Sequence, residues 1–450
     1  MASGVLERGR ARLEDFISRR VPGGRHTGAA LQLGGGTAIA QGIVVLSAPI
    51  LTRLYSPADM GRFGVLLAFV GFAAVVVNLR YDMAIVSAPS DADAARLLAV
   101  SGIVVVPVAL AATGLLLAFI RWRVLSFGGL PTWSAVPTLV LLIAAGILTT
   151  IRSWAVRRGA FTTIGRSSLE QGIGRAIVPI AAGLLGIGWS GLVLGEIAGR
   201  IFGVRRLMRL AFDGMRERVA TISRAALMQT ARNSWRYPVV AAPSTMLDAL
   251  GGALVLPLLA MSFGPDAAGE LLIAQRVAAV PATLIGASIA DVFHARVTTV
   301  FNESPDAVRG LVLKTARGLL LVGCAIYIPL GIASFWLFDD IFGSRWQHAG
   351  VLIALFTPLN ILTLVVSPVT RLYFVTNRQE LKFLFDALII AAPLVSFAAM
   401  VKLGATYWTC MVTFMLLSGA AYLVQLGVTL WMSRLPARMS ALTDSIPDPL

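Results

Sequence analysis

The chain has 450 residues, 57% of them hydrophobic and 14% charged, with a mean hydropathy of +0.80 and a formal net charge of +15. Soluble domains carry about 25% charged residues, so water is excluded as the solvent for most of this chain, and helix-length apolar runs exclude a transmembrane barrel. The basic excess does not indicate nucleic acid, because the arginines lie between apolar runs and form no compact patch with interleaved aromatics.

Residues 1–28, with VLERGRARLEDFISRR, are read as a cytoplasmic basic tail. It is either an amphipathic helix on the inner leaflet or a solvated segment. The apolar run that follows is too long for the core of a cleavable signal peptide, so nothing is expected to be removed. A hydrocarbon layer of about 30 Å takes about 20 apolar residues per helical span. Runs of that kind predict twelve helices at 31–52, 63–79, 97–120, 135–151, 168–187, 190–204, 239–262, 271–293, 312–337, 351–372, 383–401 and 407–431. The largest connection, 205–236, holds eight arginines. It divides the chain into a six-helix lobe at 29–207, a cytoplasmic basic linker at 208–236, a second six-helix lobe at 237–432 and a cytoplasmic tail at 433–450. The expected class is an all-α polytopic membrane protein of two pseudo-symmetric bundles.

Counting Lys and Arg in alternate loops sets the orientation. Of 38 basic residues, 29 fall on the termini and the even-numbered loops, helix mouths included, while the opposite side holds Arg53, Arg62, Arg121, Arg123, Arg345 and Lys402. Both termini are expected in the cytoplasm. No connection is long enough to fold as a catalytic domain, and no GxxxxGK phosphate loop occurs, so neither an enzyme nor an ATP-driven exporter is expected. Cys324 and Cys410 sit in apolar runs as structural thiols, and His26, His294 and His348 are too scattered to hold a metal. No cofactor is implied.

A shift of 208 residues lays PILTRLYSPADMG (49–61) on PLLAMSFGPDAAG (257–269). Pro49, Leu51, Pro57 and Gly61 fall on Pro257, Leu259, Pro265 and Gly269, with Tyr55 on Phe263. A weaker echo places Arg152 and Trp154 on Arg371 and Tyr373. An even number of spans per half makes the repeats parallel, as in rocking transporters, with a cargo site expected near the bilayer middle between the bundles.

Ionisable residues inside spans cost about 2.5–3.5 kcal/mol on insertion scales and face a partner or a wet cavity. Glu170 and Arg175 lie on the fifth helix, Glu196 and Arg200 on the sixth, Asp248 on the seventh and Arg276 on the eighth; Arg80, Asp82, Asp291 and Asp386 lie nearer the cytoplasmic mouths. At 1.5 Å per residue, Arg175 is roughly 10 Å in from the cytoplasmic side and Arg276 less than about 10 Å below the outer face. Arginines at both depths suit an anionic cargo such as a pyrophosphate, which a guanidinium grips by paired oxygens. Two plainer readings stand beside this one. Glu196 and Arg200, at i and i+4, can neutralise each other, and arginines near a boundary can snorkel to the headgroups. Asp248, the deepest unpaired acid, carries either a coupling proton or sodium ion or a structural hydrogen bond. GGGT at 34–37 reads as close helix packing.

LTRLYSPADMGRFGVLLAFVGFAAVVVNLRYDMAIV and FGPDAAGELLIAQRVAAVPATLIGASIADVF resemble the polysaccharide and O-antigen flippases of the multidrug/oligosaccharidyl-lipid/polysaccharide exporter (MOP) superfamily. The resemblance implies a MATE-like pair of six-helix lobes with a cationic central cavity. It implies movement of an undecaprenyl-diphosphate-linked oligosaccharide to the outer leaflet of the bacterial inner membrane. Membrane lipids, a polysaccharide polymerase and glycosyltransferases are the implied partners. Arg80 in LRYDMAIV and Arg276 in AQRV stand where the family pattern usually has an arginine, and Arg175 in GRAIVPI matches less closely. Two rivals remain. A multidrug antiporter on the same fold typically takes cations and favours cavity acids, and a lipid-linked sugar polymerase or ligase usually needs a large external loop.

Overall fold

The computed structural model describes residues 24–212, 222–376 and 378–434. The tail read at 1–28 (apart from 24–28), linker residues 213–221 and the tail beyond 434 lie outside the described residues, as do the side chains of Asp248 and Asp291.

Among the described residues the regular structure is helical. In chain order the helices are α1 (Gly24–Leu46), α2 (Ala48–Leu54), α3 (Pro57–Ala74), α4 (Tyr81–Ser87), α5 (Asp91–Arg121), α6 (Ala135–Arg157), α7 (Phe161–Leu184), α8 (Ser190–Phe212) and α9 (Arg224–Asn233). There follow α10 (Ala242–Glu303), α11 (Val308–Phe342), α12 (Gln347–Val369), α13 (Leu372–Val375), α14 (Gln379–Lys402) and α15 (Tyr407–Met432). Each predicted span falls on helix, but the boundaries move. The second helix begins at Pro57 rather than 63, because proline at the first helical position costs no hydrogen bond. It then breaks after Ala74 and resumes as α4. The predicted seventh and eighth helices run together as α10, which turns at Gly264 (φ 86°).

Nine described helices are long and apolar enough to cross a membrane, against the twelve predicted. α7 and α8 fall outside that set, and both carry the charges discussed below. Large apolar side chains stay exposed along the spans, among them Ile103 and Leu110 on α5 and Leu321, Ile332 and Trp336 on α11, as a surface solvated by lipid requires.

The chain forms two compact units. The first takes the described residues within Met1–Ser47, Phe69–Trp122 and Pro131–Met246. Its helices meet through small residues, since lipid gives helices no hydrophobic reason to associate and close packing must supply it. A Cβ on Gly36 would stand 2.5 Å from the Gly165 carbonyl oxygen, and one on Gly172 would stand 2.8 Å from Ala40 Cα. Gly195, Gly199 and Gly203 recur every four residues along α8 and receive Pro179, Arg175 and Gln171 of α7. Tyr81, Ile85, Ile151, Trp154 and Leu207 belong to one of its cores.

The second unit takes the described residues within Ala48–Ala68, Arg123–Leu130 and Leu247–Leu450. Phe293, Val369, Leu372, Tyr373, Phe385 and Met432 form one of its cores. Trp154 and Tyr373, the aromatics of the weaker echo, are thus both buried core residues. The two copies of the proline–glycine repeat touch inside this unit, reciprocally. A Cβ on Gly61 would lie 1.8 Å from the Pro265 carbonyl oxygen, and a Cβ on Gly269 would lie 1.9 Å from that of Pro57. The equivalent residues therefore exchange the same contact, as in an isologous interface. Trp346 Nε1 donates to the Thr52 carbonyl at 2.9 Å, and Arg53 Nη2 donates to the carbonyl of Asp340 at 3.3 Å, fixing α2 against α11 and the start of α12.

Gly61→Ala and Gly269→Ala are expected to destabilise the purified protein alike, by about 1–3 kcal/mol each as an overpacked contact does. Gly71→Ala, where a Cβ meets nothing within 4 Å, serves as control. Thermal unfolding in detergent checks this, and unequal losses at 61 and 269 would contradict the reciprocity.

Candidate functional site

The first unit brings three of the intramembrane charges together. Glu196 on α8 accepts from Arg175 Nη2 on α7 at 3.0 Å and from Arg200 Nε, one turn further along α8, at 3.2 Å. Arg200 Nη1 also reaches the Leu141 carbonyl at 3.5 Å. Two guanidinium groups on one carboxylate leave the cluster with a net positive charge. The Arg175 side chain is 31% exposed, against 13% for Arg200 and 10% for Glu196, so Arg175 is the member with room for a further contact. Its buried Nε has no hydrogen-bond partner among the described residues. Gly199 makes this geometry possible, because any side chain there would strike Arg175 Cγ at 2.6 Å. Further along the same helix pair, Arg206 Nε donates to Glu170 Oε1 at 2.6 Å.

The remaining predicted cations make other contacts. Arg80, in the first unit, occupies the left-handed region at the start of α4 with a buried Nε. Arg276 belongs to the second unit, where its guanidinium lies 5.4 Å from the centre of the Phe63 ring, a cation–π arrangement. Asp386 pairs with Lys382 one turn before it and accepts from Gln425 at 3.5 Å. Asp248 lies on α10, with its side chain outside the described residues.

Two features escaped the sequence reading. Glu270, one residue before the predicted eighth helix, is buried within α10 and sits 3.1 Å from His348 Nδ1; His348 in turn packs edge-on to Trp408. The available signal was Pro265, which starts the second segment of α10 and so draws Glu270 into a helix. The second unit also encloses a cavity of about 350 Å³, lined by Leu258, Gln275, Tyr327, Phe356, Asn360 and Phe414 among others. Its size is at the low end for ligand pockets, and no contiguous run of sequence marks it. Among the described residues no group of three or more metal-ligating side chains occurs.

A model of a family described as polysaccharide biosynthesis protein matches residues 50–350. The chain belongs to that family. No curated protein matches this polysaccharide biosynthesis protein. Among solved structures it is similar to an inward-facing multidrug resistance MATE transporter of the MOP superfamily, with a TM-score of 0.68 and 14% identity over 90% of this chain and 96% of the other. It is similar to the lipid II flippase MurJ in an inward closed conformation, with a TM-score of 0.64 and 11% identity over 89% and 87%. A MOP superfamily transporter from Pyrococcus furiosus, described as having a binding pocket of reversed polarity, matches with a TM-score of 0.59 and 15% identity over 92% and 96%. The polysaccharide biosynthesis protein is a multi-pass membrane protein with a MATE-like fold.

Glu196→Gln is expected to cost about 3–5 kcal/mol, as removing one partner of a buried pair does, because two guanidinium groups then face each other without their shared carboxylate. Arg175→Gln is expected to cost less, since Arg200 still neutralises Glu196. Thermal unfolding of the two variants in detergent checks the order.

Proposed function

We propose that this polysaccharide biosynthesis protein is a flippase that carries an undecaprenyl-diphosphate-linked oligosaccharide from the inner to the outer leaflet of the bacterial inner membrane. It works by alternating access between six-helix lobes at 29–207 and 237–432, with both termini in the cytoplasm, and acts as a transporter rather than an enzyme. The observation that carries this reading is the positive excess built into α7 and α8 of a polysaccharide biosynthesis protein: Arg175, part-exposed and sharing Glu196 with Arg200. Guanidinium groups keep their charge at any physiological pH and bind phosphate oxygens in pairs. A cationic drug would be repelled there, whereas a diphosphate supplies the missing anion. In this reading Arg175, Arg80 and Arg276 contact the diphosphate. Arg200 contributes mainly by holding Glu196, and Asp248 is the candidate for ion coupling. The polymerase and glycosyltransferases of the same surface glycan are the functional partners.

A hydrogen bond to a charged group contributes about 1.5–3 kcal/mol. Arg175→Ala and Arg276→Ala are therefore expected to lower surface glycan about ten-fold or more at unchanged protein abundance, measured by glycan blotting alongside membrane immunoblots. Normal glycan in both variants removes these arginines from the mechanism, and loss of drug resistance with normal glycan assigns the protein to cation antiport instead. Asp248→Asn is expected to weaken the dependence of transport on the ion gradient in proteoliposomes; unchanged dependence ends its coupling role.

A further inference from the structure

The second helix of the chain is interrupted in an unusual way. α3 ends at Ala74, α4 begins at Tyr81, and between them Leu79 and Arg80 stand at φ 47° and 60°. Neither is glycine, and non-glycine residues rarely occupy the left-handed region. Two in succession persist only where the surroundings over-determine them.

The turn is anchored by one buried amide that reaches two neighbouring helices. Asn78, 2% exposed, places Nδ2 at 3.0 Å from Ser101 Oγ on α5, 2.9 Å from the Gly146 carbonyl on α6 and 2.5 Å from Thr150 Oγ1 on α6. The two hydroxyls bond each other at 2.8 Å. Two amide hydrogens thus serve three acceptors, leaving no vacancy on the donor side. The far end of α4 is held by the same α6. Arg157 Nη1 donates to the Ala88 carbonyl at 2.7 Å, and Arg157 Nε donates to Asp91 at 3.2 Å. Ser101 lies ten residues into α5, about 15 Å at the helical rise. The latch therefore sits well inside the apolar zone, where an unmade amide bond is costly.

What the turn sets in place is Arg80. In an uninterrupted helix the side chain of residue 80 would stack over that of residue 76; two left-handed residues redirect it. Arg80 is half-buried, with a buried Nε that has no hydrogen-bond partner among the described residues, and a guanidinium that keeps some exposure can grip phosphate oxygens by paired donors. Breaks of this kind in membrane helices recur at transporter binding sites.

We propose that Asn78 is a positioning residue: it latches the left-handed Leu79–Arg80 turn onto α6 and so aims the Arg80 guanidinium at the phosphate oxygens of the cargo. The proposal rests on the reading of Arg80 as a cargo-binding cation given above. Strain and latch are two halves of one device. If the latch is lost, the turn relaxes toward continuous helix and Arg80 leaves its position, although its charge is unchanged.

Binding of geranylgeranyl diphosphate to the purified full-length chain in nanodiscs tests this, with monodispersity and thermal midpoint recorded for each variant. Arg80→Ala is expected to weaken binding about ten-fold. Asn78→Leu is expected to weaken it to a similar extent with Arg80 present. The double variant Asn78→Leu/Leu79→Gly is expected to recover most of the loss, because glycine takes the left-handed conformation without strain. If Arg80→Ala binds as the native chain does, the reading of Arg80 fails. If Arg80→Ala is weak while monodisperse Asn78→Leu binds normally, the latch alone fails. A loss that Leu79→Gly leaves unrepaired assigns Asn78 to packing and also overturns the proposal. Should Asn78→Leu not be monodisperse, Ser101→Ala/Thr150→Val removes both hydroxyl acceptors instead, and native affinity in that variant overturns it.

Discussion

Close approach of helix backbones is the constraint on which the rest of this structure depends. Lipid tails are as apolar as leucine, so helices in a membrane gain little by burying apolar faces and must gain by fitting closely. Glycine supplies the fit at each decisive place. Gly36 lies against Gly165 in the first unit, Gly195, Gly199 and Gly203 receive α7 along α8, and Gly61 and Gly269 meet the carbonyls of Pro265 and Pro57 in the second unit. At Gly199 the missing side chain does more than permit contact. It gives the stem of Arg175 a channel across α8, and the Arg175–Glu196 pair follows from that channel.

The same medium governs the charges. A buried ion in lipid persists only when paired or when a polar ligand completes it. Most intramembrane charges here meet the first condition: Glu170 with Arg206, Glu196 with Arg175 and Arg200, Asp386 with Lys382, Glu270 with His348. Arg175 and Arg80 each retain a buried Nε without a hydrogen-bond partner among the described residues. Both lie in the first unit, and in the proposed function a diphosphate is the further partner of both guanidinium groups.

Backbone irregularity follows the same logic. Gly264 turns α10 at positive φ without strain, as glycine can, and stands just before the repeat contact. Leu79 and Arg80 do the equivalent at a cost that glycine would have avoided. A sequence keeping arginine at a position where glycine folds more easily is using that side chain, and the satisfied amide of Asn78 offsets the strain.

The sequence by itself determined the solvent, the helical class, the positions of the spans and the repeat, because each is written in local composition: apolar run length, and prolines and glycines at matching spacing. Only the tertiary structure decided which helix face meets which neighbour. A helix apolar on nearly every side carries no stripe to mark its inward face, so the rotation that brings Arg175 to Glu196 across two helices could not be read, whereas the i, i+4 pairing of Glu196 with Arg200 could. Glu270 with His348 and Asn78 with Gly146 and Thr150 were hidden for a second reason, since their partners lie 78, 68 and 72 residues away. Contacts of that range are fixed by packing, and packing in lipid is decided by shape rather than by hydrophobic pattern.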